Sequence, residues 1–360
     1  MSEDNRLREL RERIDTLDME IQDLISERAR CAQKAAKSKE RAGAKNFYSP
    51  EREAQVLRRV ITRNKGPLSD EEVVRLFREL MSACLALEAL TRIAFLGPEG
   101  TFTQEAALKH FGHSVETLAL RTIDEVFREV ESDNAHFGVV PVENSTEGVV
   151  THTLDMFMSS PLKICGEVTL RVHHHLLGKV ADPKQAKRVM SHQQSLAQCR
   201  EWLDANLPNV DRVTVSSNAE AARLVSEDST SVAIAGDSAG QIYQLDVLAS
   251  NIEDDPDNTT RFLVIGKLDT KPSGDDKTSL LLSGKNKPGA LHALLAPFSQ
   301  LGINMTRIES RPSRQTAWEY VFFVDIDGHL QDKKVQQALA ELQREAALCK
   351  CLGSYPKAVV

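Results

Sequence analysis

A hydroxyl and a guanidinium stand side by side in Thr260-Arg261-Phe262. This triplet ends the acidic, turn-rich run 251–259 and opens the apolar run 262–265. The change of pattern predicts that a loop becomes a strand here. A guanidinium binds small anions and a hydroxyl donates a hydrogen bond. The pair therefore predicts a place where a small anionic substrate is held and a leaving group is protonated.

Polar loops follow several short apolar runs upstream of this triplet. Gly97–Thr103 follows the run 93–96, and Glu143–Gly148 follows the run 137–142. The runs 189–192 and 232–235 are followed in the same way by polar residues and a helix. This alternation predicts an α/β fold with mainly parallel strands, in which ligands lie beyond the carboxyl ends of the strands. Each loop alone is equally compatible with an ordinary turn and helix cap.

Residues 6–90 have the apolar spacing of helices instead. A seam with steps of three and four residues runs along the first of them, at Leu7, Leu10, Ile14, Leu17, Ile21 and Leu24. Gly43 and the stretch 46–50 end this helix, and a second begins at Pro50 with Ser49 as its cap and ends at Gly66. A third begins at Ser69 or Asp70 and runs to about Leu90. Three helices bury too little core for a monomer, which predicts an intertwined dimer.

Charged residues interrupt the seam. Arg28 lies seven residues after Ile21, and Lys39 lies on the same face about three turns later. Arg11 is roughly 26 Å away along the helix axis, so it reaches the same ligand only from a second copy of the chain. On the third helix Cys84 and Glu88 are i, i+4 neighbours on the apolar face, where burial raises the pKa of a carboxyl.

The helical segment resembles the all-helical chorismate mutases of bifunctional aromatic-biosynthesis enzymes. Arg11, Arg28, Lys39 and Glu53 match the family's substrate-binding residues, while Cys84 and Glu88 stand where relatives have serine and glutamine, and Ser49 where some have aspartate. The resemblance implies a Claisen rearrangement of chorismate to prephenate. Such chemistry needs a clamped dicarboxylate and donors at the ether oxygen, roles assigned to the arginines and to Lys39 and protonated Glu88. The alternative is a helical dimerisation module.

From about Ile93 to Lys267 the polar motifs together resemble prephenate dehydratase. This implies a two-lobed fold like that of periplasmic binding proteins, with decarboxylative dehydration of prephenate to phenylpyruvate in the cleft. The resemblance assigns Thr260 to the leaving hydroxyl and Arg261 to a carboxylate, with a structural salt bridge in the acidic loop as the alternative for Arg261. The implied polar contacts are Thr101, Asn144, Ser145 and Gln194. Glu143 is either structural or an acid, and His192 is either an acid or a helix cap.

After a linker at 269–276, the remaining pattern predicts βαββαβ, a ferredoxin-like α+β plan. The segments Gly289-Ala290-Leu291-His292 and Glu309-Ser310-Arg311-Pro312 resemble ACT regulatory domains. This resemblance implies phenylalanine binding between two such domains, with feedback inhibition. The alternative is a structural dimerisation domain.

The whole chain is thus expected to form three domains, at 1–91, 92–268 and 277–360. Its net charge of −7, with no strongly basic segment, favours neither nucleic acid nor a membrane surface as partner. Scattered cysteines and the run 173–175 of histidines predict neither a metal nor a cofactor. A cytoplasmic homodimer or larger homo-oligomer is expected. Other readings are a non-catalytic amino-acid sensor and an enzyme that has lost its mutase activity.

Overall fold

The chain folds into three units in sequence order: a helical unit, a two-lobed α/β unit and an α+β unit. The structure, a computed structural model, describes residues 3–41, 48–285, 287–313 and 320–359. Gly43, Asn46 and Phe47, which we predicted to end the first helix, lie outside these residues. The predicted fold class is confirmed.

The helical unit consists of α1 (Glu3–Arg41), α2 (Pro50–Arg63) and α3 (Asp70–Ala86). Ser69 caps α3 by accepting a hydrogen bond from the backbone of Glu72, whereas Ser49 occupies the cap position of α2 without a side-chain bond. The seam of α1 faces solvent in the single chain, since Leu24 is 65% exposed and Leu10 is 55% exposed. None of the described residues of the same chain covers this apolar face.

The α/β unit is built from short strands and helices joined by polar loops. Its strands are β1 (Arg92–Leu96), β2 (Glu116–Leu120), β3 (Phe137–Asn144), β4 (Gly148–Val149), β5 (Lys163–Arg171), β6 (His175–Gly178), β7 (Arg188–Ser191), β8 (Asp211–Thr214), β9 (Ser231–Ala235), β10 (Asp246–Ala249) and β11 (Thr259–Gly266). Its helices are α4 (Phe102–Phe111), α5 (Ile123–Glu131), α6 (Thr151–Ser159), α7 (Gln193–Gln198), α8 (Arg200–Asn206), α9 (Asn218–Ser226) and α10 (Asp237–Ile242).

Two sheets divide this unit into two lobes. The first has the order β2-β1-β3-β11-β5, with β4 on β3, and the second has the order β10-β6-β9-β7-β8. The prediction of mainly parallel strands was wrong. Strands β1, β2 and β3 are parallel, but β11 is antiparallel to both β3 and β5, and β6 is antiparallel to β9. The reason is that the chain crosses between the lobes twice, at 172–174 and 250–258, so the returning strand runs against the strands that precede it.

The α+β unit comprises β12 (Asp276–Gly284), α11 (Ala290–Gln300), β13 (Met305–Pro312), β14 (Tyr320–Asp327), α12 (Lys333–Glu345) and β15 (Ala346–Pro356). The antiparallel order β13-β14-β12-β15 agrees with the predicted βαββαβ plan. The last strand is longer than we predicted. It lies along the first lobe, where Lys163 donates to the carbonyl of Cys351 at 2.8 Å and Tyr355 shares a core with Phe157.

The segment predicted as a linker is held against the helical unit. Arg58 on α2 donates to the hydroxyl of Ser273 at 2.9 Å and to the carbonyl of Asp275 at 2.7 Å. Asp276 is buried and accepts from Ser273. The three units therefore meet at this segment. None of the helices in the described ranges has the length and apolar character needed to cross a membrane.

Candidate active sites

A cleft of about 690 Å³ lies between the two lobes of the α/β unit. It collects residues from both lobes and from the crossing segments. Thr101, Asn144, Gln194 and Thr260, all predicted as site residues, line it. The structure therefore brings together four side chains that are as much as 159 positions apart in the sequence.

The hydroxyl of Thr260 has a defined partner. Asn144, opposite it on β3, donates from Nδ2 to Thr260 Oγ1 at 2.8 Å. Because the hydroxyl oxygen accepts this bond, its own hydrogen is left to donate elsewhere. The arrangement suits a hydrogen bond from Thr260 to a ligand oxygen in the cleft.

Helix N-termini supply positive potential around the same cleft. Phe102 begins α4, Thr151 begins α6 and Asn218 begins α9, and all three residues line the cleft. The first turn of a helix carries unpaired backbone N–H groups and a partial positive charge. Three such ends favour a ligand with negative charge.

Arg261 does not face this cleft, which corrects the prediction that it anchors a substrate carboxylate. Its guanidinium donates to Glu167 at 2.9 Å, to Asp325 at 2.7 Å and to Tyr355 at 3.0 Å. Successive side chains of a strand point to opposite faces, so with Thr260 in the cleft Arg261 must turn toward the α+β unit. Arg261 forms a structural salt bridge, as in the alternative, but its partners lie in β5 and β14 and not in the acidic loop.

Arg121 is a cleft residue that we did not predict. Among the described residues that line the cleft, it is the one arginine or lysine. It follows β2, and a signal was available, since ligands of α/β folds lie beyond the carboxyl ends of parallel strands. The strand itself is short and partly exposed, so its sequence carried little hydrophobic pattern.

Other predicted residues of this unit have structural partners. Ser145 accepts from the backbone of Thr259 at 2.9 Å and is not among the residues that line the cleft, a correction to its predicted substrate contact. His192 lines the cleft and caps α7 by accepting from the backbone of Gln194, which favours the cap over the acid. Glu143 accepts from Arg307 at 2.8 Å, which favours its structural role.

In the helical unit the seam charges meet α3. Arg28 donates to the sulfur of Cys84 at 2.9 Å, and Lys39 lies 3.8 Å from Glu88. The side chain of Glu88 is 7% exposed, and its burial raises the pKa of the carboxyl against the opposing effect of Lys39. The structure therefore assembles four of the predicted mutase residues where α1 meets α3 and the turn after it, since α3 ends at Ala86, before Glu88 and short of the predicted end at about Leu90.

A groove of about 440 Å³ adjoins this cluster on the α2 side and is lined by Arg28, Arg52 and Val56 among others. Arg52 is a second guanidinium, and we did not predict it as a site residue. Arg11 lies exposed on α1, and 17 residues of helix, roughly 26 Å, separate it from Arg28. Arg11 therefore does not join the cluster within one chain.

Glu53 lies in a different place from the one we predicted. It lines a separate cavity of about 40 Å³, together with Tyr48, His110 and Arg78. Its carboxylate is 4.0 Å from Arg78, and burial raises its pKa to about 7 despite that cation. Adjacent helical residues point about 100° apart, so with Arg52 toward the groove Glu53 turns toward the α/β unit.

The two predicted effector segments occupy the start of α11 and the edge strand β13. Gly289 caps α11 with φ of 79°, a conformation that favours glycine, and Ala290, Leu291 and His292 form the first turn. In β13 the residues alternate: Ser310 and Pro312 are exposed, while Glu309 and Arg311 are partly buried. Arg311 turns to the α/β unit, where it lies 3.2 Å from Asp155.

Family models match three consecutive parts of the chain. They are Chorismate mutase type II at residues 10–89, Prephenate dehydratase at 93–270 and ACT domain at 278–344.

Whole-length relatives share the same order. A bifunctional chorismate mutase/prephenate dehydratase from Stutzerimonas stutzeri is 59% identical over 365 residues, covering 100% of both chains. One from Pseudomonas aeruginosa is 56% identical with the same coverage. The crystal structure of prephenate dehydratase in complex with L-Phe from Arthrobacter aurescens superposes with a TM-score of 0.69 at 35% identity, covering 75% of this chain and 93% of that one.

Proposed function

This chain belongs to the family of bifunctional chorismate mutase/prephenate dehydratases, and we propose how its residues divide the two reactions. The enzyme rearranges chorismate to prephenate and converts prephenate to phenylpyruvate, with phenylalanine as feedback inhibitor. We assign residues 1–91 to the mutase, 92–268 to the dehydratase and 277–360 to the regulatory domain. A cytoplasmic location is part of the proposal, since the described cysteines are free thiols, as is usual in reducing compartments.

For the dehydratase step, prephenate binds in the interlobe cleft. Loss of carbon dioxide leaves its electron pair in the ring, and this pair expels the ring hydroxyl as hydroxide, which takes up a proton from solvent to become water. The oxygen of the Thr260 hydroxyl accepts from Asn144, so its hydrogen donates a hydrogen bond to the ring hydroxyl of prephenate. Arg121 and the helix N-termini hold the carboxylates, with Gln194 and Thr101 as polar walls. The observation that carries this assignment is the bond from Asn144 to Thr260 within the cleft.

For the mutase step, Arg28 and Arg52 bind the carboxylates of chorismate, and Lys39 and protonated Glu88 act at the ether oxygen. The rearrangement needs no nucleophile, only a held conformer and stabilised charge. Cys84 orients the guanidinium of Arg28. Arg11 completes the site from a second copy of the chain, which packs its α1 on the exposed seam.

For regulation, phenylalanine binds where α11 and β13 of two copies meet. The described face of β13 that is exposed includes Ser310 and Pro312. The solved relative from Arthrobacter aurescens is a complex with L-Phe, which supports this choice of effector.

A coupled assay tests the proposal. Purified protein is given chorismate and, separately, prephenate, and phenylpyruvate is followed by its absorbance. Both substrates should yield phenylpyruvate, and phenylalanine should suppress it. Thr260→Val should abolish conversion of prephenate while chorismate still disappears at the original rate. No turnover of either substrate would leave a non-catalytic sensor as the better description.

A further inference from the structure

Asn258 is a buried residue at the end of the second interlobe crossing. Asn258 is 1% exposed and is not among the residues that line the cleft. Its Oδ1 accepts from Asn144 Nδ2 at 2.8 Å, and its Nδ2 donates to Gln198 Oε1 at 3.2 Å. The position therefore connects the partner of Thr260 to the second lobe.

The direction of these bonds follows from backbone donors. Asn144 Oδ1 accepts from the backbone N–H groups of Thr146 and Glu147, both at 3.0 Å. A backbone N–H can only donate, so the amide nitrogen of Asn144 must face Asn258 and Thr260. Its two hydrogens are then both used, one on each residue, at 2.8 Å.

The same logic extends into the second lobe. Asn258 accepts with Oδ1, so its nitrogen donates to Gln198 Oε1. Gln198 Oε1 also meets His174 Nε2 at 2.9 Å, and Gln198 Nε2 donates to Thr146 Oγ1 at 3.0 Å. Gln198 lies on α7 in the second lobe, whereas Thr146 belongs to the first. A hydrogen-bond network thus crosses between the lobes: Asn144 donates to both Thr260 and Asn258, and Asn258 donates to Gln198.

We propose that Asn258 is a positioning residue for the dehydration. It holds the amide of Asn144 so that the hydroxyl hydrogen of Thr260 points at the substrate. Because Asn258 donates to Gln198, this orientation also depends on the position of the second lobe relative to the first. The inference rests on the role proposed above for Thr260. The backbone N–H groups of Thr146 and Glu147 hold the oxygen side of the Asn144 amide, and Asn258 holds its nitrogen side. Without Asn258 the nitrogen side loses this anchor, so the amide and the hydroxyl of Thr260 are less precisely aimed.

Kinetics of Asn258→Ala in the full chain test this inference. The dehydratase kcat should fall at least about 10-fold, less than the roughly 100- to 1000-fold lost when an oriented donor is removed, because Thr260 itself remains. KM should stay within about 2-fold, because Asn258 does not line the cleft. Mutase activity of the same polypeptide should be unchanged and reports folding. Asp257→Asn is the matched control, an adjacent position whose side chain is 88% exposed. Equal turnover of Asn258→Ala and this control would overturn the inference.

A double variant shows whether Asn258 acts through Asn144. Adding Asn258→Ala to Asn144→Ala should cost less than about 2-fold further in kcat, since the bond is already absent. If the two losses multiply, Asn258 does not act through Asn144 and the inference is wrong.

Two changes at Gln198 provide a test should Asn258→Ala fold poorly. Gln198→Glu keeps an acceptor for Asn258 and should retain most of the dehydratase kcat, whereas Gln198→Met should not. Equal kcat of the two variants would contradict the proposed role of the hydrogen bond between Asn258 and Gln198. If Thr260→Val keeps turnover, the proposed function fails; if only the Asn258 and Gln198 variants keep it, the proposed function stands without this inference.

Discussion

Thr260 and Arg261 are neighbours in β11 whose side chains leave the strand on opposite faces. Thr260 accepts from Asn144 beside the cleft, and Arg261 donates to Asp325 of the α+β unit at 2.7 Å. Their partners on β3 follow the same alternation, because Glu143, opposite Arg261, accepts from Arg307. One pair of strands therefore places cleft-facing residues next to residues that contact the α+β unit.

The first prediction separates these two faces. Thr260→Val should reduce dehydratase kcat at least about 100-fold, as removal of an oriented donor does, and leave the melting temperature unchanged. Arg261→Met should instead destabilise the protein, because it leaves buried Glu167 and Asp325 with less compensating charge, at a cost of about 3–5 kcal/mol. Thermal melting and prephenate kinetics on both variants provide the measurement. A large rise in KM for Arg261→Met with unchanged melting would contradict the placement of Arg261.

The second prediction concerns communication between β13 and the cleft. Arg307 bonds to Glu143, the residue before Asn144, and Arg311 pairs with Asp155 on α6, whose N-terminus lines the cleft. Arg307→Met should raise the phenylalanine concentration for half-inhibition about 10-fold or more, within the range of typical allosteric couplings. Phenylalanine affinity, measured by calorimetry, should change much less.

Lys287→Met is the control for Arg307→Met. Lys287 pairs with Glu345 on the surface of the same unit, and both side chains are about half exposed. This variant should keep both binding and inhibition. Loss of inhibition in parallel with loss of binding in Arg307→Met would show that Arg307 belongs to the effector site and does not transmit.

The third prediction is the pH dependence of the mutase. Burial raises the pKa of Glu88, opposed by Lys39, so the protonated form persists above the usual range of a glutamic acid. Mutase kcat should be highest below this raised pKa and fall as pH rises through it, because the ionised carboxylate no longer donates to the ether oxygen. Glu88→Gln should flatten this fall. An unchanged pH profile in Glu88→Gln would exclude Glu88 as the titrating donor.

The fourth prediction links Glu53 to stability. Burial raises its pKa to about 7, above the value of about 4.5 expected when it is exposed in the unfolded chain. The folded state then binds the proton more tightly, so stability falls as pH rises from about 4.5 to 7, by roughly 3 kcal/mol in total. Glu53→Gln should remove that fall and melt higher than the parent near pH 8, but not near pH 5.

Glu71→Gln serves as the comparison for Glu53→Gln, since Glu71 is an exposed glutamate on α3. It should leave the pH dependence of melting unchanged. The assignment of Glu53 to the buried cavity is wrong if both glutamine variants follow the parent at every pH.

The fifth prediction addresses the second copy of the chain. Leu10→Asp and Leu24→Asp introduce charge into the exposed seam of α1 and should prevent α1 from packing on its counterpart. Light scattering should show a smaller assembly, and mutase activity should be lost while the dehydratase remains active. Met19→Asp, an exposed α1 residue outside the seam spacing, is the control. Full mutase activity in a monomeric variant would refute the contribution of Arg11 from a second chain.

The sequence by itself predicted the three helices of the helical unit, the βαββαβ order of the α+β unit and several of the strand-to-loop junctions of the α/β unit. Strong local signals explain this, such as Pro50 at the start of α2 and the spacing of Leu10, Ile14 and Leu17 in α1. It also pointed to Thr260 and Asn144, because their motifs stand at strand ends, where both local pattern and family resemblance agree.

Only the tertiary structure decided which way individual side chains turn. One face of β11 lies toward the cleft and the other packs on the α+β unit. An alternation of hydrophobic and polar residues therefore could not show which of Thr260 and Arg261 faces the cleft. Arg52 and Glu53 pose the same ambiguity on α2, where Arg52 lines the groove beside Arg28 and Glu53 lines a separate cavity. The hydrogen-bond partners of Asn258, Gln198 and Asn144, lie 60 and 114 positions away in the sequence. Its role depends on hydrogen bonds between distant segments, which exist only once the two lobes have come together.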